Sequence, residues 1–190
     1  VKELAFSWIN HKILFAQRWG YSGKGQSKEE KQKQQDSVLW PTYERVKADI
    51  ERLGLFEPTL IYGYYPARSH ENELYLFDEK EGYFSEEQVC RESIEVAKAR
   101  AIKVFDFPRQ NRAPYRSLSD FIHSERHDVL ALTCVSAGAK FSAYEKELYD
   151  AGNFTEYFWV HGLGVELAEA LAEVLHKQVR LDLDIVPKEG

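Results

Sequence analysis

The sequence contains no methionine and begins at Val1. A chain of 190 residues with 11 Phe and 11 Tyr would ordinarily carry several, so it reads as a fragment of a longer polypeptide. Cysteine is scarce as well: Cys90 and Cys134 are the only two, with no Cys-x-x-Cys pair. That excludes a disulfide framework and a thiolate zinc site, and both are expected as small buried hydrophobes in a reducing compartment. No apolar run approaches the roughly 18 to 20 residues needed to cross a bilayer, and the amino terminus lacks a signal-peptide core. A cytoplasmic protein with no membrane partner is the expectation. Basic charge is in deficit, 25 Lys and Arg against 31 Asp and Glu for a net charge of -6. Duplex binding needs clustered cations to displace phosphate counterions, so no nucleic-acid partner is expected.

Catalytic signatures are missing too. There is no Gly-x-Ser-x-Gly elbow, and neither cysteine sits in a nucleophile motif. Gly20 to Gly25 has neither Walker spacing nor a preceding buried strand, and reads as a turn. Gly162-Leu-Gly164 lacks the third glycine and the strand of a dinucleotide fingerprint, so a packing role is expected.

What is present is a composition of 44% apolar and 14% aromatic residues, enough for one core in a single domain. Ile9, Ile13 and Leu14 give the segment from Phe6 to Tyr21 a helical spacing. Ser27 with Glu30 forms a capping box for a long helix to about Leu53, solvated over Lys28 to Asp36 and interrupted near Trp40-Pro41. Thr59 to Tyr65 and Glu73 to Phe77 are rich in aromatic and β-branched residues and predict two strands joined by the polar Arg68 to Asn72. Ser85 with Gln88 predicts a helix toward Arg100. Ile102 to Phe107 alternates as a strand, and Asp128 to Ser136 reads as a buried one. Gly138 precedes a helix from Ala139 to Asp150, stopped by Gly152. A last helix, from Asn153 or His161 to Arg180, has a broad apolar face including Leu163, Leu167, Leu171 and Leu175. Glu166, Glu169, Glu173, His176 and Arg180 form its solvated stripe. Helices at both ends with strands between them predict an α+β fold.

His123 and His127 are four residues apart, a spacing that serves two metal ligands on a helix. The intervening Glu125 is misplaced for the metalloprotease pattern, so an exposed polar loop is the plainer reading. No metal site and no catalytic residue is expected.

Gly63-Tyr-Tyr-Pro-Ala67, Phe105-Asp-Phe-Pro-Arg-Gln110, Ser117-Leu-Ser-Asp-Phe121 and the run from His161 to His176 together resemble the activation domain of cobalamin-dependent methionine synthase. Trp8-Ile-Asn10 and Arg18-Trp-Gly-Tyr-Ser-Gly-Lys24 resemble its opening. The resemblance implies one activation domain over 1–190: a C-shaped α+β domain with a twisted antiparallel sheet, flanking helices and a long C-terminal helix. It also implies a groove for S-adenosylmethionine. Such a module reactivates methionine synthase whose cobalamin has been oxidised, by reductive methylation of cob(II)alamin within methionine biosynthesis. The partners implied are a cobalamin-binding module, since no Asp-x-His-x-x-Gly motif occurs here, and a flavodoxin-type electron donor. The module would be part of a methyltransferase and not an independent enzyme.

Carried over by position, Glu169 is the ligand-binding glutamate, and Asn10 stands where the family has an acidic ligand. Tyr64, Tyr65 and Ala67 belong to the substrate-binding set, the tyrosines offering aromatic faces to a sulfonium. The family's Arg-x-x-x-Gly-Tyr-Pro segment does not occur in this sequence, and without it ligand binding is expected to be weak. The competing expectation is a non-catalytic docking domain of the same fold that no longer holds the ligand.

Overall fold

A computed structural model describes residues 1–83 and 85–185. Backbone proximity separates two compact units, residues 1–61 together with the chain from Thr133 onward, and Tyr62–Leu132.

The first unit is helical. Helix α1 (Lys2–Ser7) is followed by α2 (His11–Ile13), which runs directly into a π-helical turn, Leu14–Arg18. Asn10 starts α2, its side-chain oxygen accepting from the Ile13 amide at 3.2 Å. The helix expected from Phe6 to Tyr21 is thus broken at the Asn10 cap. Ser27 and Glu30 form the expected capping box of α3 (Lys28–Gln34). A second π-helical turn, Gln35–Leu39, leads into α4 (Trp40–Arg52), with Pro41 in its first turn where an amide is dispensable. Helices α7 (Ala139–Asp150) and α8 (Phe154–Asp182) complete the unit. Nineteen buried residues form one apolar cluster, including Trp19, Val46, Phe141, Leu163, Leu167 and Leu171.

Strands β1 (Thr59–His70), β2 (Glu73–Leu76), β3 (Lys103–Asp106) and β4 (Asp128–Ser136) form a sheet of order β3-β2-β1-β4. The β1–β2 and β2–β3 pairs are antiparallel, with Ala67 opposite Leu76 and Leu74 opposite Phe105. Arg68 to His70 is strand rather than loop. Its polar side chains are matched by groups distant in sequence: Arg68 Nε donates to the Ser124 carbonyl at 2.9 Å, and Ser69 Oγ to that of Ile122 at 2.6 Å.

The helix expected from Ser85 to Arg100 is two, α5 (Glu86–Cys90) and α6 (Ile94–Arg100), the second capped by Ser93. Glu92, at the break, pairs with Arg100 at 3.0 Å and Arg68 at 3.6 Å. Strand β4 has the expected limits but not the expected burial, because it ends the strand order and leaves Leu132 and Cys134 exposed. Cys134 is therefore not a buried hydrophobe; the side chain of Cys90 lies outside the described residues. His127 corrects the exposed-loop reading. It is buried and stacked on Phe77 with ring centroids 4.6 Å apart, and burial holds its pKa below the ordinary imidazole value. Among the described residues no group of His, Cys, Asp and Glu is placed to hold a metal, and no helix is long and apolar enough to cross a membrane.

Candidate functional site

The contact between the amino-terminal helices and α8 is made by small residues. A Cβ at Gly162 would lie 2.7 Å from the Trp19 indole and 3.2 Å from Arg18 Cβ; one at Gly164 would lie 2.9 Å from Phe141 Cζ. Real side chains do not approach so closely, so glycine at 162 lets α8 lie against the side chains of Arg18 and Trp19, and glycine at 164 lets it lie against Phe141 of α7. Trp19 Nε1 donates to the Trp159 carbonyl at 3.2 Å and fixes this register. The packing role read from the sequence for the two glycines holds.

The π-helical turn sets which side chains face α8. Its wider ring is closed by the Trp19 amide donating to the Leu14 carbonyl, five residues back, at 2.8 Å. Trp19 then meets Gly162, and Arg18 meets Glu166 one turn further along α8. Arg18 Nε donates to Glu166 Oε1 at 2.8 Å, and Arg18 Nη2 lies 3.7 Å from Glu169 Oε1. Glu166 is only 3% exposed. The helical wheel puts it on a solvated stripe, but a guanidinium distant in sequence makes its burial tolerable.

Beside this pair lies a hollow of about 240 Å³, lined by Trp8, Asn10, Arg18, Glu166, Glu169 and Glu173 among others. Helical spacing explains the α8 side of it: residues 162, 166, 169 and 173 follow one stripe. Three carboxylates face one guanidinium, and the Lys177 ammonium sits 5.5 Å from the centroid of the Trp8 ring. Such a surface suits a small polar ligand bearing positive charge with a smaller negative share.

Asn10 and Glu169, drawn from opposite ends of the chain, thus line one hollow. Tyr64, Tyr65 and Ala67 belong to the other unit. Tyr64 stands edge-on to Tyr62 with centroids 5.8 Å apart. Tyr65 packs on the cluster of Ala67, Leu74 and Leu76, and Ala67 is fully buried within it. Sequence reasoning does not single out Arg18 and Glu166 as a pair. The available signal is the regular spacing of Gly162, Glu166 and Glu169, but their partner cannot be read from a helical wheel.

The other family-like motifs interlock within the second unit. Arg109 grips Asp120 through both terminal nitrogens, at 2.8 and 3.0 Å, and Asp120 accepts from the Ser117 amide at 2.9 Å. Ser117 Oγ donates to the Phe107 carbonyl and Ser119 Oγ to that of Glu71, each at 2.7 Å.

A family model described as vitamin B12 dependent methionine synthase, activation domain, matches residues 2–187. The methionine synthases of Mycobacterium tuberculosis (strain ATCC 25618 / H37Rv) and Mycobacterium leprae (strain TN) are each 30% identical to this sequence, over 186 and 190 residues. In both cases the alignment covers 92% of this chain and only 14% of the relative. Among solved structures, the crystal structure of the MetH reactivation domain bound to AdoHcy superposes with a TM-score of 0.64 at 19% identity. It covers 94% of this chain and 52% of that one, and shows a common fold. The chain belongs to the activation-domain family of vitamin B12 dependent methionine synthases.

Proposed function

We propose that the chain binds S-adenosylmethionine in the hollow at Asn10 and Glu169 and serves as the reactivation module of a methionine synthase. The observation that carries this reading is the meeting of those two residues, assigned separately by resemblance, in one charged hollow. The related MetH reactivation domain was crystallised with AdoHcy bound, which is consistent with it. Residues 1–190 act as one activation domain in this reading. Cobalamin arrives on another module and the reducing electron from a flavodoxin-type donor, in the cytoplasm.

Reduced cobalamin held on the other module would supply the electron pair for the methyl group, and the residues of this chain, Asn10 and Glu169, would hold the sulfonium donor, which would leave as a neutral thioether. No proton moves, so no side-chain base is required, and the task of this chain is to bind and orient the donor. Glu169 accepts hydrogen bonds from the ligand's ammonium or ribose hydroxyls. Asn10 offers an amide that can donate or accept while its oxygen caps α2. The roles of Tyr64, Tyr65 and Ala67 rest on the resemblance alone.

Calorimetric titration with S-adenosylmethionine tests the assignment. Glu169→Gln is expected to weaken binding by about 1.5 to 3 kcal/mol, the range for a hydrogen bond to a charged group, with an unchanged thermal melt. Equal affinities would remove Glu169 from the site. Absence of heat and of any melting shift at millimolar ligand would favour a docking domain that holds no ligand.

A further inference from the structure

We infer that the hollow enclosed by α2, the loop of residues 20–25 and α3 binds a phosphate dianion, with Lys12 and Lys31 as its cationic ligands. This hollow shares no lining residue with the one at Asn10 and Glu169, and stands whatever that one binds.

The stretch from Asn10 to Arg18 divides its side chains between two hollows. Ile13 and Gln17 line the acidic one, whereas Lys12 and Ala16, also four apart, line a second of about 230 Å³. Helix α3 faces the second with Lys31, and Gln34 and Gln35 follow at the spacing that keeps them on the same side. Tyr21 and Ser22 complete its polar lining, over a floor of the buried Phe15 and Leu39.

Every polar side chain here can donate a hydrogen bond: two ammonium groups, two primary amides and two hydroxyls. No carboxylate is among the lining residues, in a chain of net charge -6. The acidic side chains nearest in sequence are engaged elsewhere, Glu30 by the Ser27 amide at 2.7 Å and Asp36 by the Gln32 amide group at 2.9 Å. Among the described residues neither Lys12 nor Lys31 is in an ion pair, whereas Lys98, Lys140 and Lys146 each hold a carboxylate.

Lys31 is also pre-positioned. Gly23 has a φ of 61°, and a Cβ there would lie 2.7 Å from Lys31 Cε and 2.9 Å from its Cγ. The lysine stem therefore rests in the space that glycine leaves open, which lowers the rotamer entropy lost when its ammonium takes a ligand. Two ammonium groups on facing elements match the charge of a phosphate group, about 1.5 to 2 negative charges at pH 7, and its several acceptor oxygens. A carboxylate would neutralise only one of them.

Thermal melts and calorimetry at low ionic strength provide the test, with inorganic phosphate and phenyl phosphate as probes and sodium chloride of equal ionic strength as the reference. A ligand of the native state raises the melting temperature with its concentration, so both phosphates are expected to raise it beyond the change in chloride. Lys12→Gln and Lys31→Gln should each weaken phosphate at least threefold and together abolish its binding, while Lys33→Gln, outside the hollow, leaves it unchanged. Gly23→Ala should reproduce Lys31→Gln by expelling the stem; if that chain does not fold, Lys31→Gln carries this arm alone. Tighter binding of phenyl phosphate than of phosphate would assign a monoester with its ring laid on Tyr21, and equal binding the free ion. A rise of equal size in chloride, or one that survives the double lysine substitution, overturns the site and leaves a general salt effect.

Discussion

Each of the two units is stabilised by its own physics. The first gathers nineteen buried residues into one apolar cluster across four helices, two π-helical turns and the connections beside them. Among the described residues the second has two small clusters of three buried residues each, around Ala67 and around Tyr75. It adds paired polar and charged groups: the Arg68–Glu92–Arg100 triad, in which Arg68 Nη1 is held by charge at 3.6 Å without a hydrogen bond, the serines at 117 and 119, and the Arg109–Asp120 pair. Apolar burial tolerates approximate shape, whereas buried charge tolerates no missing partner. Single substitutions should therefore be graded in the first unit and all-or-none in the second.

The largest expected effect is Glu92→Gln. Its carboxylate is 9% exposed at the side chain and serves Arg68, itself 9% exposed, and Arg100. Leaving those guanidinium groups without a counter-charge should cost about 3 to 5 kcal/mol in urea unfolding. A cost below 1 kcal/mol would mean that the triad is dispensable and the contrast false. Next is Leu167→Ala in the first unit, where a fully buried side chain is removed; a loss of about 2 to 5 kcal/mol is expected, toward the low end if the surrounding helices close the gap.

Smaller effects sharpen the contrast within the second unit. Ser119 is fully buried and its hydroxyl bridges the Glu71 carbonyl and Ser117 Oγ. Ser119→Ala should cost about 1 kcal/mol, the net worth of a buried hydrogen bond, because the Glu71 carbonyl keeps Arg109 Nη2 and Ser117 Oγ keeps the residue-119 amide as donors. Arg109→Met breaks an exposed, solvent-screened ion pair and should lower the melting temperature less than Ser119→Ala does, although Arg109 holds the Asp120 carboxyl below the usual range. A reversed order would place the strength of the motif in its arginine.

The smallest effect is in pH. Burial lowers the pKa of His11 in the first unit and His127 in the second from the ordinary 6.5. His127 faces Arg68, Arg100 and Glu92 and hydrogen-bonds the Gly82 backbone; His11 has Glu44 and Lys47 nearby. The unfolded chain takes up these protons at higher pH than the native one, so stability is full above 6.5 and falls as pH drops below it. Thermal melts from pH 7.5 to 5 should show the decline, with a shallower slope for His127→Gln. An unchanged slope would assign the decline elsewhere.

Local signals are legible in the sequence where the chain is punctuated. Strand Asp128–Ser136 and helix Ala139–Asp150 have the limits read from their flanks, because Gly138 and Gly152 adopt positive φ and fix the ends. Reading fails where a polar residue is accepted by a distant partner. Arg68 and Ser69 look like loop until the carbonyls of Ser124 and Ile122 reach them, Glu92 ends a helix in favour of two arginines, and Glu166 looks solvated until Arg18 arrives. Of the ligand-binding residues carried over by resemblance, Asn10 and Glu169 share a hollow, which no spacing rule foretells across so many residues. The guanidinium between them is legible only as part of a motif.

The π-helical turn at Leu14–Arg18 makes chain length itself a determinant of the hollow. Each residue of a helix advances the facing direction by about 100°. Excising one residue there, Ala16 for instance, would restore ordinary α-helical winding and swing either Arg18 or Trp19 out of register with α8. The chain would then have to choose between seating the indole at Gly162 and delivering the guanidinium to Glu166. Insertions and deletions, usually harmless in loops, are in this five-residue turn equivalent to deleting a side chain from the site.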